Sequence, residues 1–144
     1  MEKVYIVLAE DDKDDQELFA EALNEVTKNV HFEILKDGEL LCNWANQIEV
    51  LPDFIFIDIN MLKYDGLKCL QQLRANQKFD KSIIIIYSTS LQPREIDLAY
   101  SNKANLFFEK PRSLTHIKDG IRHIINFNWN TRIPIDEFVL KYAD

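Results

Sequence analysis

The feature that most constrains this chain is an alternation of short apolar runs with helical patterns, repeated five times. Runs rich in Val, Ile and Phe fall at 4–9, 30–35, 53–58, 82–88 and 105–109. Two of them, Phe54-Ile55-Phe56-Ile57 and Ile83-Ile84-Ile85-Ile86, have no polar face. A strand apolar on both faces must be covered on both faces, the situation of a central strand in a parallel sheet between two helical layers. Between the runs the period changes. Leu18, Phe19, Ala22, Leu23 and Val26 form one face of a 3.6-residue helix, as do Leu114, Ile117, Ile121, Ile124 and Ile125, with Ser113 placed as N-cap. Asp37-Gly38, Asp65-Gly66 and Gln92-Pro93 open the other three helical patterns. The expected architecture is a doubly wound α/β sandwich with right-handed crossovers, whose ligands bind at the carboxyl ends of the strands.

The length of 144 residues suits one such domain, and 47% apolar with 28% charged residues suits a folded, soluble one. Seventeen basic against 24 acidic side chains leave a net charge of −7, which disfavours a nucleic-acid module. No apolar stretch has membrane-span length, and the start lacks the basic, apolar and small-residue regions of a secretory signal. The expectation is a cytoplasmic protein with neither nucleic-acid nor membrane partner. Cys42 and Cys69, 27 positions apart with no metal spacing, read as buried apolar residues rather than ligands.

The strand ends carry the chemistry. The first run meets Glu10-Asp11-Asp12, the third Asp58-Ile59-Asn60, the fourth Ser88-Thr89-Ser90 and the fifth Glu109-Lys110-Pro111. In a doubly wound sheet these ends converge on one edge. Crowded carboxylates repel one another unless a cation joins them, and a hard divalent ion with oxygen ligands is the simplest partner. A metal, a Lys and a hydroxyl together neutralise phosphoryl oxygens, and an Asp among them can act as nucleophile and form an acyl phosphate. Asp58 is the candidate, since it ends a fully apolar strand. Asp12, Asp14 and Asp15 read instead as a solvated helix start favoured by the dipole.

With these residues in order, the chain resembles a response-regulator receiver domain of two-component signalling over residues 3–127. The resemblance rests on Glu10 and Asp11, on Asp58-Ile59-Asn60-Met61 followed by Asp65-Gly66, on Ser88, and on Lys110-Pro111. It implies a flavodoxin-like (βα)5 fold with a five-stranded parallel sheet in the order 2-1-3-4-5. By position, Asp58 resembles the phosphoacceptor. Glu10, Asp11, Asp58 and the backbone carbonyl of Asn60 resemble the ligands of Mg²⁺ (or Mn²⁺). Lys110, Ser88 and Thr89 resemble the residues around the phosphoryl group, and Ser88 with Phe107 the switch pair. The Lys110–Pro111 bond is expected to be cis, as in that family. One departure stands out: Leu62 occupies a position where the family usually has Pro. That frees φ and adds an N–H, so a more mobile loop is expected there.

The resemblance implies a phosphoacceptor rather than an enzyme with turnover, limited to Mg²⁺-dependent self-phosphorylation and autodephosphorylation. The phosphoryl donor would be a sensor histidine kinase or a histidine phosphotransfer protein, and the signal would pass to a downstream protein target by contact. Two alternatives differ in class. One is a receiver-fold interaction module that does not use phosphate, and the other is an Asp-nucleophile phosphatase acting on small molecules. The latter usually places D-x-D after its first strand, whereas D-x-N follows the third here. Residues 1–127 are expected to form the receiver and 128–144 a C-terminal extension without an output domain. The apolar residues of that extension (Trp129, Ile133, Ile135, Phe138, Val139, Leu140) suit packing on the domain's own surface better than a homodimer contact.

Overall fold

The structure is a computed structural model that describes residues 3–62 and 64–143. Strands β1 (Val4–Ala9), β2 (Val30–Leu35), β3 (Phe54–Ile57), β4 (Ile83–Ser88) and β5 (Leu106–Glu109) alternate with helices α1 (Lys13–Val26), α2 (Gly38–Gln47), α3 (Gly66–Ala75), α4 (Pro93–Ser101) and α5 (Leu114–Asn126). The strands are all parallel in the order 2-1-3-4-5, as expected.

The two-faced apolar runs separate by residue parity, because successive side chains leave a strand on opposite sides. Ile55, Ile57, Ile84, Ile86 and Phe107 pack into the cluster that holds Leu41, Leu70 and Ala99 of α2, α3 and α4. Phe54, Phe56, Ile85, Tyr87 and Phe108 pack into the other cluster, with Phe19 and Leu23 of α1 and Ile117, Ile121 and Ile124 of α5. The helix starts follow their capping residues: Asp12, Asp37, Asp65 and Ser113 each accept an N–H from the first turn, and Pro93 opens α4. Gly120 lets α5 lie close to the sheet, since a Cβ there would sit 2.1 Å from Cζ of Phe108.

The expected sheet of five strands has a sixth. Val139–Leu140 forms β6, parallel to β5, with Phe107 opposite Val139 and Phe108 opposite Leu140. Phe107 donates its N–H to the Phe138 carbonyl at 3.0 Å. The outer edge of β5 would otherwise present unpaired backbone groups beside an apolar face, and the tail covers both. Phe138 is fully buried, its ring 4.9 Å from Tyr100 and 6.5 Å from Phe107.

Candidate functional site

The carboxyl edge gathers the residues that the strand ends point to. Glu10 follows β1 and is held there by its N–H to the Leu35 carbonyl, and Asp58 follows β3 with its N–H on the Ala9 carbonyl. Glu10 is fully buried and Asp58 only 5% exposed. With Asp11 they form a cluster in which one carboxylate oxygen of each lies within 4.8 Å of the others. Asn60 donates its N–H to Asp58 Oδ1 at 3.1 Å. The loop from β3 to α3 is tightened by a bridge between Asn60 and Asp65 and by the Gly66 N–H on the Ile59 carbonyl. Gly66 is required by close approach: a Cβ would stand 2.3 Å from the Asp58 carbonyl oxygen.

Lys110 crosses the edge from the end of β5. Its Nζ lies 2.6 Å from Glu10 Oε1, 2.8 Å from Asp15 Oδ2 and 3.3 Å from Asp58 Oδ2, and the side chain is 8% exposed. The ammonium also sits 5.4 Å from the ring centre of Tyr87. Burial by itself would lower the Lys110 pKa, but the bonds to Asp15 and Glu10 and the charge of Asp58 outweigh it and raise it. The lysine is therefore fixed as a cation. Burial, and then the neighbouring Asp58 carboxyl, push Glu10 up to about 8 against the opposing pull of Lys110. Glu10 Oε1 has this charge contact but no hydrogen-bond partner of good geometry. A single lysine thus faces three carboxylates, with Asp11 beside two of them, and the site has unsatisfied demand for positive charge.

Asp15 is the residue that sequence reasoning misplaced. At the helix start, where a solvated side chain is expected, it binds Lys110 instead. Its signal was present in the helical stripe, because Asp15 lies four residues before the buried Phe19 and seven before Ala22. Asp12 and Asp14 behave as expected, with Asp12 Oδ1 accepting the Asp14 N–H at 2.9 Å.

Ser88 is fully buried at the end of β4, and its Oγ accepts the Ser90 N–H at 3.1 Å. Its carbonyl takes the Lys110 N–H at 2.8 Å. Thr89 follows it at the same edge. Phe107 is fully buried and packs against the tail residue Phe138.

One expectation is corrected. The Lys110–Pro111 bond is trans, as are all described peptide bonds. The trans form is the lower-energy one by roughly 0.5–1 kcal/mol for X–Pro, and Lys110 reaches its three carboxylates from it. The two cysteines lie close together. Both are free, but Sγ of Cys42 on α2 and Sγ of Cys69 on α3 are 3.9 Å apart. Among the described residues no helix is long and apolar enough to cross a membrane.

The family model for the response regulator receiver domain matches residues 6–122. Response regulator Rcp1 of Synechocystis sp. is 26% identical over 127 residues, 85% of this chain and 86% of that protein. The probable methanogenesis regulatory protein FilR2 of Methanothrix harundinacea is 25% identical over 131 residues, covering 87% and 84% respectively. Among solved structures, the phosphorylated cyanobacterial phytochrome response regulator RcpA aligns with a TM-score of 0.78 at 25% identity, covering 85% of this chain and 91% of that one. The Mn²⁺-bound form of Rcp1 aligns at 0.77 with 26% identity, covering 89% and 96%. Matched through most of its length, with the acids and the lysine of the motif gathered at one sheet edge, the chain belongs to the response regulator receiver domain family of two-component signalling.

Proposed function

We propose that Asp58 is the phosphoacceptor, receiving a phosphoryl group from the phosphohistidine of a sensor histidine kinase or a histidine phosphotransfer protein. One carboxylate oxygen of Asp58 attacks phosphorus, the P–N bond to the donor imidazole breaks, and an acyl phosphate forms on Asp58. The observation that carries this reading is the contact of Lys110 Nζ with both Asp58 and Glu10 inside a cluster of three carboxylates. Lys110 is placed to move from carboxylate to phosphoryl oxygen, with Asp15 still holding its ammonium. The Ser88 hydroxyl, now an acceptor for the Ser90 N–H, would turn to the phosphoryl group beside Thr89.

The same residues fit a divalent cation. Three carboxylate oxygens within 4.8 Å, one buried and poorly satisfied, suit Mg²⁺ or Mn²⁺. Glu10, Asp11, Asp58 and the carbonyl of Asn60 would hold it. Bound there, the ion would supply charge neutralisation for the phosphoryl oxygens.

In this reading residues 1–127 act as the receiver, 128–144 as an extension that carries β6, and the protein works in the cytoplasm. The phosphorylated state is read by a downstream protein through the face of α4, β5 and α5, reached from Ser88 through Phe107. Incubation with Mg²⁺ and acetyl phosphate followed by intact-mass measurement tests the reading. One added phosphoryl group is expected, absent in Asp58→Asn and without Mg²⁺. No added mass, or undiminished labelling of the variant, would overturn it.

A further inference from the structure

Position 62 carries leucine where a receiver usually has proline. Leucine restores a main-chain N–H where proline would have none, and that N–H is not left to solvent. It donates to Asp11 Oδ2 at 2.9 Å, joining the loop after β3 to the loop after β1 across 51 positions of sequence. Two residues earlier the Asn60 N–H donates to Asp58 Oδ1. One loop therefore gives two N–H groups, from alternate residues, to two carboxylates of the same acidic cluster.

The Leu62 side chain takes no part, being 94% exposed. Met61 beside it is 6% exposed and packs into the core, which holds the intervening backbone in place. Asp11 is the most accessible of the three acids, flanked by exposed Asp12 and Lys13, so its carboxylate would otherwise sample several rotamers. With Oδ2 bonded to Leu62, the carboxylate is held in one orientation beside Glu10 and Asp58. A donor to the second oxygen of a ligating carboxylate orients the ligand before the ion arrives, and loss of such partners typically lowers metal affinity 10- to 100-fold.

We propose that Leu62 is a positioning residue for the divalent-cation site, acting through its main-chain N–H and not its side chain. This inference rests on the reading of Glu10, Asp11 and Asp58 as the cation site. It is tested by titrating the metal-free full chain with Mg²⁺ in a calorimeter. Leu62→Ala keeps the N–H and is expected to bind within about twofold of the parent, whereas Leu62→Pro is expected to bind about 10-fold more weakly. Equal or tighter binding by Leu62→Pro, or an equal loss in Leu62→Ala, would overturn the positioning role alone. Absence of Mg²⁺ binding by the parent would instead overturn the cation site and this inference with it.

Should Leu62→Pro not fold, the Leu62 amide of the parent decides the matter by nuclear magnetic resonance. It is expected to be protected from hydrogen exchange without Mg²⁺ and to shift on titration with it. Exchange at the unprotected rate, or a resonance that Mg²⁺ leaves in place, would overturn the role.

Discussion

Replacing Asp58 by Asn removes one negative charge from a site where attraction and repulsion nearly balance, so the sign of its effect on metal-free stability depends on Glu10. Lys110 Nζ stands 3.3 Å from Asp58, an attraction of ~5 kcal/mol at an effective dielectric constant of about 20. Glu10 and Asp11 lie within 4.8 Å of it, each worth a repulsion of at least ~3.5 kcal/mol when ionised. With both ionised the repulsions exceed the attraction by roughly 2 kcal/mol or more, and with Glu10 protonated the attraction wins by at most about 1.5 kcal/mol. Glu10 is raised from 4.5 to about 8, first by burial and then by Asp58 itself. A carboxyl raised on folding binds more protons in the folded state between those two values. The contribution of Glu10 to stability is therefore fully present below pH 4.5 and is lost as pH rises through about 8. Asp58→Asn removes part of the cause, so its stability should decline less steeply over that window. Urea unfolding of parent and variant in chelator-treated buffer measures this. The variant is expected to be less stable by up to about 1.5 kcal/mol near pH 6 and more stable by roughly 2 kcal/mol near pH 9.5. A difference that does not change with pH, or one that changes in the opposite sense, would refute the electrostatic account of the site.

Three further substitutions probe the elements that build this edge. Lys110→Met leaves Glu10 and Asp58 buried without their cation, and should cost about 3 kcal/mol in urea unfolding at pH 9.5 and less at pH 6. Gly66→Ala drives a Cβ to 2.3 Å from the Asp58 carbonyl, which is backbone and cannot swing away. A loss of about 2 kcal/mol is expected, with weaker Mg²⁺ binding because the Asp58 segment must shift. Phe138→Ala opens a cavity between Phe107 and Tyr100, and thermal unfolding should report a loss of about 3–5 kcal/mol; a change under 1 kcal/mol would mean that the tail does not belong to the core.

Much of the fold was legible because the pattern is local. Strands apolar on both faces, helices with a single apolar stripe and the cap at Ser113 follow from chain geometry alone. They imply the parallel sheet and the helices that cover both its faces. The acids and the lysine of the site were legible for the same reason, since strand ends in such a sheet share one edge. The sixth strand was not. Val139–Leu140 is two residues long, too short for its own periodicity to announce a strand, and it forms only because β5 offers an edge.

What the sequence determined by itself is which groups reach the carboxyl edge: Glu10, Asp11, Asp58, Ser88 and Lys110. What only the tertiary structure decided is how those groups are partnered. Asp15 reaches Lys110 across 95 positions, and Leu62 reaches Asp11 across 51. Cys42 meets Cys69 only because α2 packs beside α3. Hydrogen bonds and ion pairs depend on ångström distances between segments, and periodicity along a chain carries no information about those. Leu62 shows the difference most plainly. Along the chain it is a missing proline and a freer loop, while in the fold its N–H ties that loop to the acid it faces.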